Sequence, residues 1–132
     1  MPPGIDVTGA VPAQAAALVV AIAPVDGLAA LDGFGRQAAE AFGADLAGLT
    51  GALVRDKVKG NAGDVVAVPA GERLLIAAGV GDGSPRDMRR AGAAVARRVK
   101  SVESAAVALA HRSSAAQVRA LVEGLVLGGY TF

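Results

Sequence analysis

Residues 18–23 read Leu-Val-Val-Ala-Ile-Ala, an apolar run with no polar member. A strand with one wet face alternates apolar and polar side chains, so an unbroken run predicts a strand buried on both faces. Such a strand belongs in a sheet covered by helices on each side, and no other feature of the 132-residue chain narrows its folds as far. Three further runs behave alike. Residues 65–68 (Val-Val-Ala-Val) stop at Pro69 as the first run stops at Pro24. Residues 73–78 centre on Leu74, Leu75 and Ile76, and residues 105–110 are apolar throughout. Pro-Ala-Gly at 69–71 joins the second and third runs at a length suited to a hairpin.

Helices are marked between and after these strands. Ser84 is a good N-cap, Pro85 suits the first helical position, and Asp87 can answer the cap and favour the helix dipole. Met88, Ala91, Val95 and Val99 then form one apolar face. Ser114 with Gln117 repeats the capping pattern ahead of a stripe of Val118, Leu121, Val122 and Leu125. The Ala-rich region 28–54 carries Leu46, Leu49 and Leu53 at helical spacing, but Gly33, Gly35, Gly43 and Gly48 argue against a single unbroken helix there. Strand, helix, strand and helix from Arg73 onward read as a βαβ unit, with the right-handed crossover usual for such units. The fold class expected is α/β, a three-layer sandwich around the sheet. Residues 1–16, which hold three of the six prolines, are expected as a flexible or loosely packed segment ahead of a single domain over 17–132.

Composition limits the chemistry. Hydrophobic residues make up 53% and aromatics 3%, so the core must be built from Ala, Val and Leu. A net charge of +1 provides no global field for nucleic acid or an anionic membrane. Cysteine is absent, which removes disulfides and thiolate sites and favours a cytoplasmic setting. The run at 18–23 is far too short to span a bilayer, and no basic segment precedes it as a secretory signal requires, so neither membrane nor export is expected.

Two motifs invite a functional reading. Gly79-Val80-Gly81-Asp82-Gly83, ahead of a helix, is the type of turn whose N–H groups cradle phosphate. Its spacing is not G-x-G-x-x-G, however, and Asp82 would repel an anion, which favours a plain strand-to-helix turn. Arg86, Arg89, Arg90, Arg97, Arg98 and Lys100 gather within one short span, and most lie away from the Met88–Val99 stripe. Nucleic acid could contact this face, although a charged outer face is what an amphipathic helix needs in any case, and no aromatics are interleaved to stack bases. His111 is the sole histidine, and the twelve carboxylates are scattered singly, so no metal-ligand set is visible. Ser113 and Ser114 read as helix caps rather than nucleophiles. No catalytic, cofactor-binding or metal-binding residue is therefore assigned.

Four segments carry a resemblance. Lys57-Val58-Lys59-Gly60-Asn61-Ala62-Gly63-Asp64-Val65-Val66 resembles a lysine- and glycine-rich segment that precedes a strand in the amino-terminal domain of leucyl aminopeptidases of the M17 metallopeptidase family. Leu74-Leu75-Ile76-Ala77-Ala78-Gly79-Val80-Gly81 is similar to the next strand and its glycine turn, with Ala78 in place of the usual valine. Arg89-Arg90-Ala91-Gly92-Ala93-Ala94-Val95-Ala96-Arg97 resembles the helix after it. Glu123-Gly124-Leu125-Val126-Leu127-Gly128-Gly129-Tyr130-Thr131-Phe132 resembles the family's closing segment at the domain junction, with Gly129 and Thr131 replacing the common serine and arginine. The resemblance implies a macro-domain-like fold with a mixed sheet, and a non-catalytic role. It further implies a cytoplasmic, homohexameric parent that removes amino-terminal residues from peptides with two divalent metals, zinc or manganese, held in a separate catalytic domain. No residue of that metal site maps onto this chain. Two alternatives stay open: an ADP-ribose-binding macro-like module, and a nucleic-acid-binding module that uses residues 86–100.

Overall fold

The computed structural model describes residues 4–8, 16–99, 104–108 and 115–127. Six strands and four helices occur there: β1 (Gly4–Thr8), β2 (Ala17–Val25), β3 (Leu28–Ala30), α1 (Gly33–Ala41), α2 (Leu46–Arg55), β4 (Val65–Ala70), β5 (Arg73–Gly79), α3 (Pro85–Arg98), β6 (Ser104–Ala108) and α4 (Ala115–Leu127). The sheet order is β1-β6-β2-β5-β4, with β3 paired to the outer part of β2. β1, β6, β2 and β5 pair in parallel, while β4 and β3 run antiparallel to their neighbours.

The apolar run in β2 lies at the centre of this mixed sheet and feeds two cores. Leu18, Val20 and Ile22 pack with Phe42 of the α1 C-cap and with Leu49 and Leu53 of α2. Ala17 and Val19 point the other way, among Met88 and Val95 of α3 and Leu121 and Leu125 of α4. This is the expected three-layer α/β sandwich, with α1 and α2 on one face and α3 and α4 on the other. Met88, Ala91, Val95 and Val99, the predicted stripe, are all buried. Ser84 caps α3 as expected, its Oγ accepting from the Asp87 N–H at 3.2 Å. Region 28–54 is indeed broken, into β3, α1 and α2, and Asp32 caps α1 by accepting from the Gly35 N–H at 2.6 Å.

Prolines fail as strand stops in two places, for one reason. β2 continues through Pro24 to Val25, and β4 through Pro69 to Ala70. Two-residue turns follow each strand, at Asp26-Gly27 and Gly71-Glu72, so the flanking pairs Val25–Leu28 and Ala70–Arg73 are the hydrogen-bonded ones. The next pairs inward, Pro24–Ala29 and Pro69–Leu74, are then non-hydrogen-bonded, and each proline's missing N–H falls on the side away from its hairpin partner.

Two other features depart from the sequence reading. β1 forms within the proline-rich start, where no strand was expected. Its Ile5-Asp6-Val7 alternation is a period-two signal too short to stand out. The βαβ reading from Arg73 onward holds for direction but not adjacency, because β2 lies between β5 and β6. The fourth strand ends its described course at Ala108, and residues 109–110 lie outside the described residues.

Helices α3 and α4 approach closely through glycine. A Cβ added at Gly92 would overlap the Leu121 carbonyl oxygen, and one at Gly124 would overlap the Arg89 carbonyl oxygen. The two backbones therefore cross at a distance that only glycine at both positions permits.

Candidate functional site

Strand β5 delivers the glycine-rich turn to the sheet end where it meets the loop at 60–64, next to the start of α3. Each N–H from Gly79 to Ser84 already has an acceptor. Gly79 donates to the Asp64 carbonyl at 2.7 Å, Val80 to that of Ile22 at 2.9 Å, Gly81 to that of Gly60 at 3.0 Å and Gly83 to that of Val80 at 3.0 Å. Asp82 donates to Asp87 Oδ2 at 3.2 Å, and Ser84 to Asp82 Oδ1 at 2.8 Å. A phosphate cradle needs such donors aimed at empty space. Here Asp87, its side chain only 12% exposed, packs its carboxylate against the turn, and a Cβ on Gly81 would strike its Oδ2. The Ser84 backbone N–H and hydroxyl hold the Asp82 carboxyl below the usual carboxylate range. An anion would meet two carboxylates there, with every N–H from Gly79 to Ser84 already engaged.

The basic span is divided rather than gathered. Arg86 Nε lies 3.5 Å from Asp87 Oδ1, and Arg89 Nη1 lies 3.6 Å from Glu123 Oε2 on α4. Arg97 and Arg98 are exposed at the far end of α3, beside Gly63 and Val65, about 16 Å along the helix axis from Arg86. Lys100, His111, Ser113 and Ser114 lie outside the described residues. Gln117, the partner of Ser114 in the capping pattern, donates through Nε2 to the Gly83 carbonyl at 3.1 Å and so ties α4 to the turn. Among the described residues no three His, Asp or Glu side chains converge as metal ligands. No helix in the described residues is long and apolar enough to cross a membrane.

The model of the cytosol aminopeptidase family, N-terminal domain, matches residues 32–132, about three quarters of the chain. The chain belongs to the cytosol aminopeptidase family. Its match is to the N-terminal domain, in agreement with the motifs at Lys57, Leu74, Arg89 and Glu123. Several solved structures share the fold. A mutant of tomato leucine aminopeptidase aligns over 98% of this chain and 28% of its own, with a TM-score of 0.67 and 21% identity. The bottromycin maturation enzyme BotP aligns over 90% of this chain and 24% of its own, with a TM-score of 0.62 and 24% identity. A BotP structure in complex with Mn gives a TM-score of 0.61 at 23% identity. The chain thus spans about a quarter of the length of each of these proteins. Among curated proteins no sequence matches it.

Proposed function

We propose that this cytosol aminopeptidase N-terminal domain is non-catalytic, and that it serves a larger leucyl aminopeptidase which removes amino-terminal residues from peptides. The family match over 32–132 carries the reading. Two divalent metals, zinc or manganese, would supply the Lewis-acid chemistry in the catalytic domain of the parent, a cytoplasmic homohexamer. Nothing in the described part of this chain offers the clustered carboxylates that a two-metal centre needs. Val126, half exposed near the end of α4, fits a contact with that further domain.

The occupied turn gives the ADP-ribose reading no support, because a diphosphate would have to displace Asp87 from a buried position. Weak, salt-sensitive association is all that the divided arginines offer to duplex DNA. Titration of the chain with labelled ADP-ribose and with duplex DNA at two salt concentrations should therefore give no saturable ADP-ribose binding, and DNA binding that vanishes at the higher salt. Tight ADP-ribose binding, or sequence-selective DNA binding that survives physiological salt, would overturn this reading.

A further inference from the structure

On the opposite face of the sheet from α3, a cleft of about 450 Å³ opens between β3, α1, α2 and the segment that follows α2. Its volume lies within the range of small-molecule sites, roughly 300–1,000 Å³. The walls are aliphatic: Leu28, Leu31, Leu46, Leu53 and Val54. Leu28 and Val54 are 68% and 67% exposed, so the apolar surface opens to solvent rather than closing into the core.

The polar part of the lining has one sign. Arg36, Lys57 and Lys59 line the cleft, no carboxylate does, and none of the three has an ion-pair partner among the described residues. Two nearby acids are engaged elsewhere: Asp32 caps α1, and Asp56 pairs with Arg55 at 3.1 Å. The Thr50 hydroxyl is committed to the Leu46 carbonyl at 3.0 Å. Lys57 also holds a left-handed backbone, φ 55°, at the end of α2. Its N–H donates to the Val54 carbonyl and that of Val58 to the Leu53 carbonyl, the Schellman ending in which glycine usually takes this position. Lysine stands there at a conformational cost that glycine would avoid, and it brings an ammonium group to the cleft.

We propose that this cleft binds a small amphipathic carboxylate, an aliphatic body seated on the leucine and valine walls with its single negative charge among Arg36, Lys57 and Lys59. The inference is independent of the aminopeptidase reading. Three exposed cations, each acting at the scale of a surface ion pair, should favour a carboxylate over its uncharged isostere by about tenfold in affinity.

Amide NMR titrations with sodium octanoate, octanol and octylammonium test this. Octanoate should saturably shift the amides of residues 27–31 and 53–59, octanol should bind there about tenfold more weakly, and octylammonium not at all. The double variant Lys57→Gly, Lys59→Ser keeps the helix ending and leaves only Arg36, so octanoate should fall to within about two- to threefold of octanol. Val54→Asp, at an exposed position, should weaken both ligands. Equal affinity for octanoate and octanol would overturn the proposal. So would octanoate shifts centred on Arg97 and Arg98, or a failure of octanoate to saturate at millimolar concentration.

Discussion

Valine at Gly124 is expected to be the most destabilising single substitution in the chain, removing more than about 4 kcal/mol of stability. Its side chain would enter space held by the Arg89 carbonyl, which is backbone and cannot swing aside. The helices must therefore separate. Separation uncovers Leu121 and Leu125 of α4 and Met88 and Val95 of α3, all buried between the helices and the sheet. Each such side chain is worth roughly 1.5–3 kcal/mol when buried. Partial exposure of the four thus removes more than about 4 kcal/mol, against a total stability of order 5–15 kcal/mol. Gly51 of α2 provides the contrast: it is exposed, and a Cβ there meets nothing within 4 Å. Gly51→Ala should stabilise by about 0.5–1 kcal/mol through helix propensity alone. Urea titrations followed by circular dichroism separate the two outcomes. A Gly124→Val protein with wild-type stability would mean that α3 and α4 do not cross at this distance.

Asp87→Ala should be the next most damaging change, costing about 1–3 kcal/mol, the penalty for removing a buried acceptor. The carboxylate accepts from the Asp82 N–H and faces Arg86, so its loss loosens both the turn and the start of α3. Asp87→Asn keeps an acceptor oxygen and should recover part of the loss. Asp82 adds a pH dependence of known sign. Its carboxyl is held below the usual range by Ser84, so it stabilises the fold above the unfolded-state pKa of about 3.9. That contribution disappears as pH falls through the lower folded-state value. The stability difference between wild type and Asp82→Asn should accordingly be present at neutral pH and vanish in acid. A difference that grows in acid would contradict the assignment.

Sequence alone made the two-sided burial of β2 readable, because six consecutive apolar residues admit few other environments. The α3 stripe and the Ser84 cap were equally clear, since a capping residue, a first-turn proline and a 3.6-residue period all point to one helix. The β4–β5 hairpin was legible too, although its turn falls at Gly71-Glu72, whereas the β2–β3 hairpin was harder. Asp26-Gly27, with φ values of 52° and 80°, is a strong two-residue turn signal that locates β3 once Pro24 is not taken as a strand end. Proline reads as a stop only if its N–H side faces a partner, and that depends on register, which one sequence does not display. Strand order escaped for a similar reason: the insertion of β2 between β5 and β6 arises from long-range pairing, not from any local pattern. The sequence reading doubted the glycine turn on the charge of Asp82, whereas the packing of Asp87 into it from the first turn of α3 needed coordinates. In the cleft, Arg36 and Lys57 are twenty-one positions apart, and no spacing rule connects them.

Catalysis is the most direct place to test the domain assignment. The native protein that carries this sequence, captured from its cells with an antibody raised against the chain, should be assayed beside the isolated 132-residue chain. Both would receive leucine anilide with Zn²⁺ or Mn²⁺, with and without chelator. The domain assignment predicts chelator-sensitive hydrolysis by the captured protein and none above the blank by the isolated chain; chelator-sensitive turnover by the isolated chain, or an inactive captured protein, would contradict it.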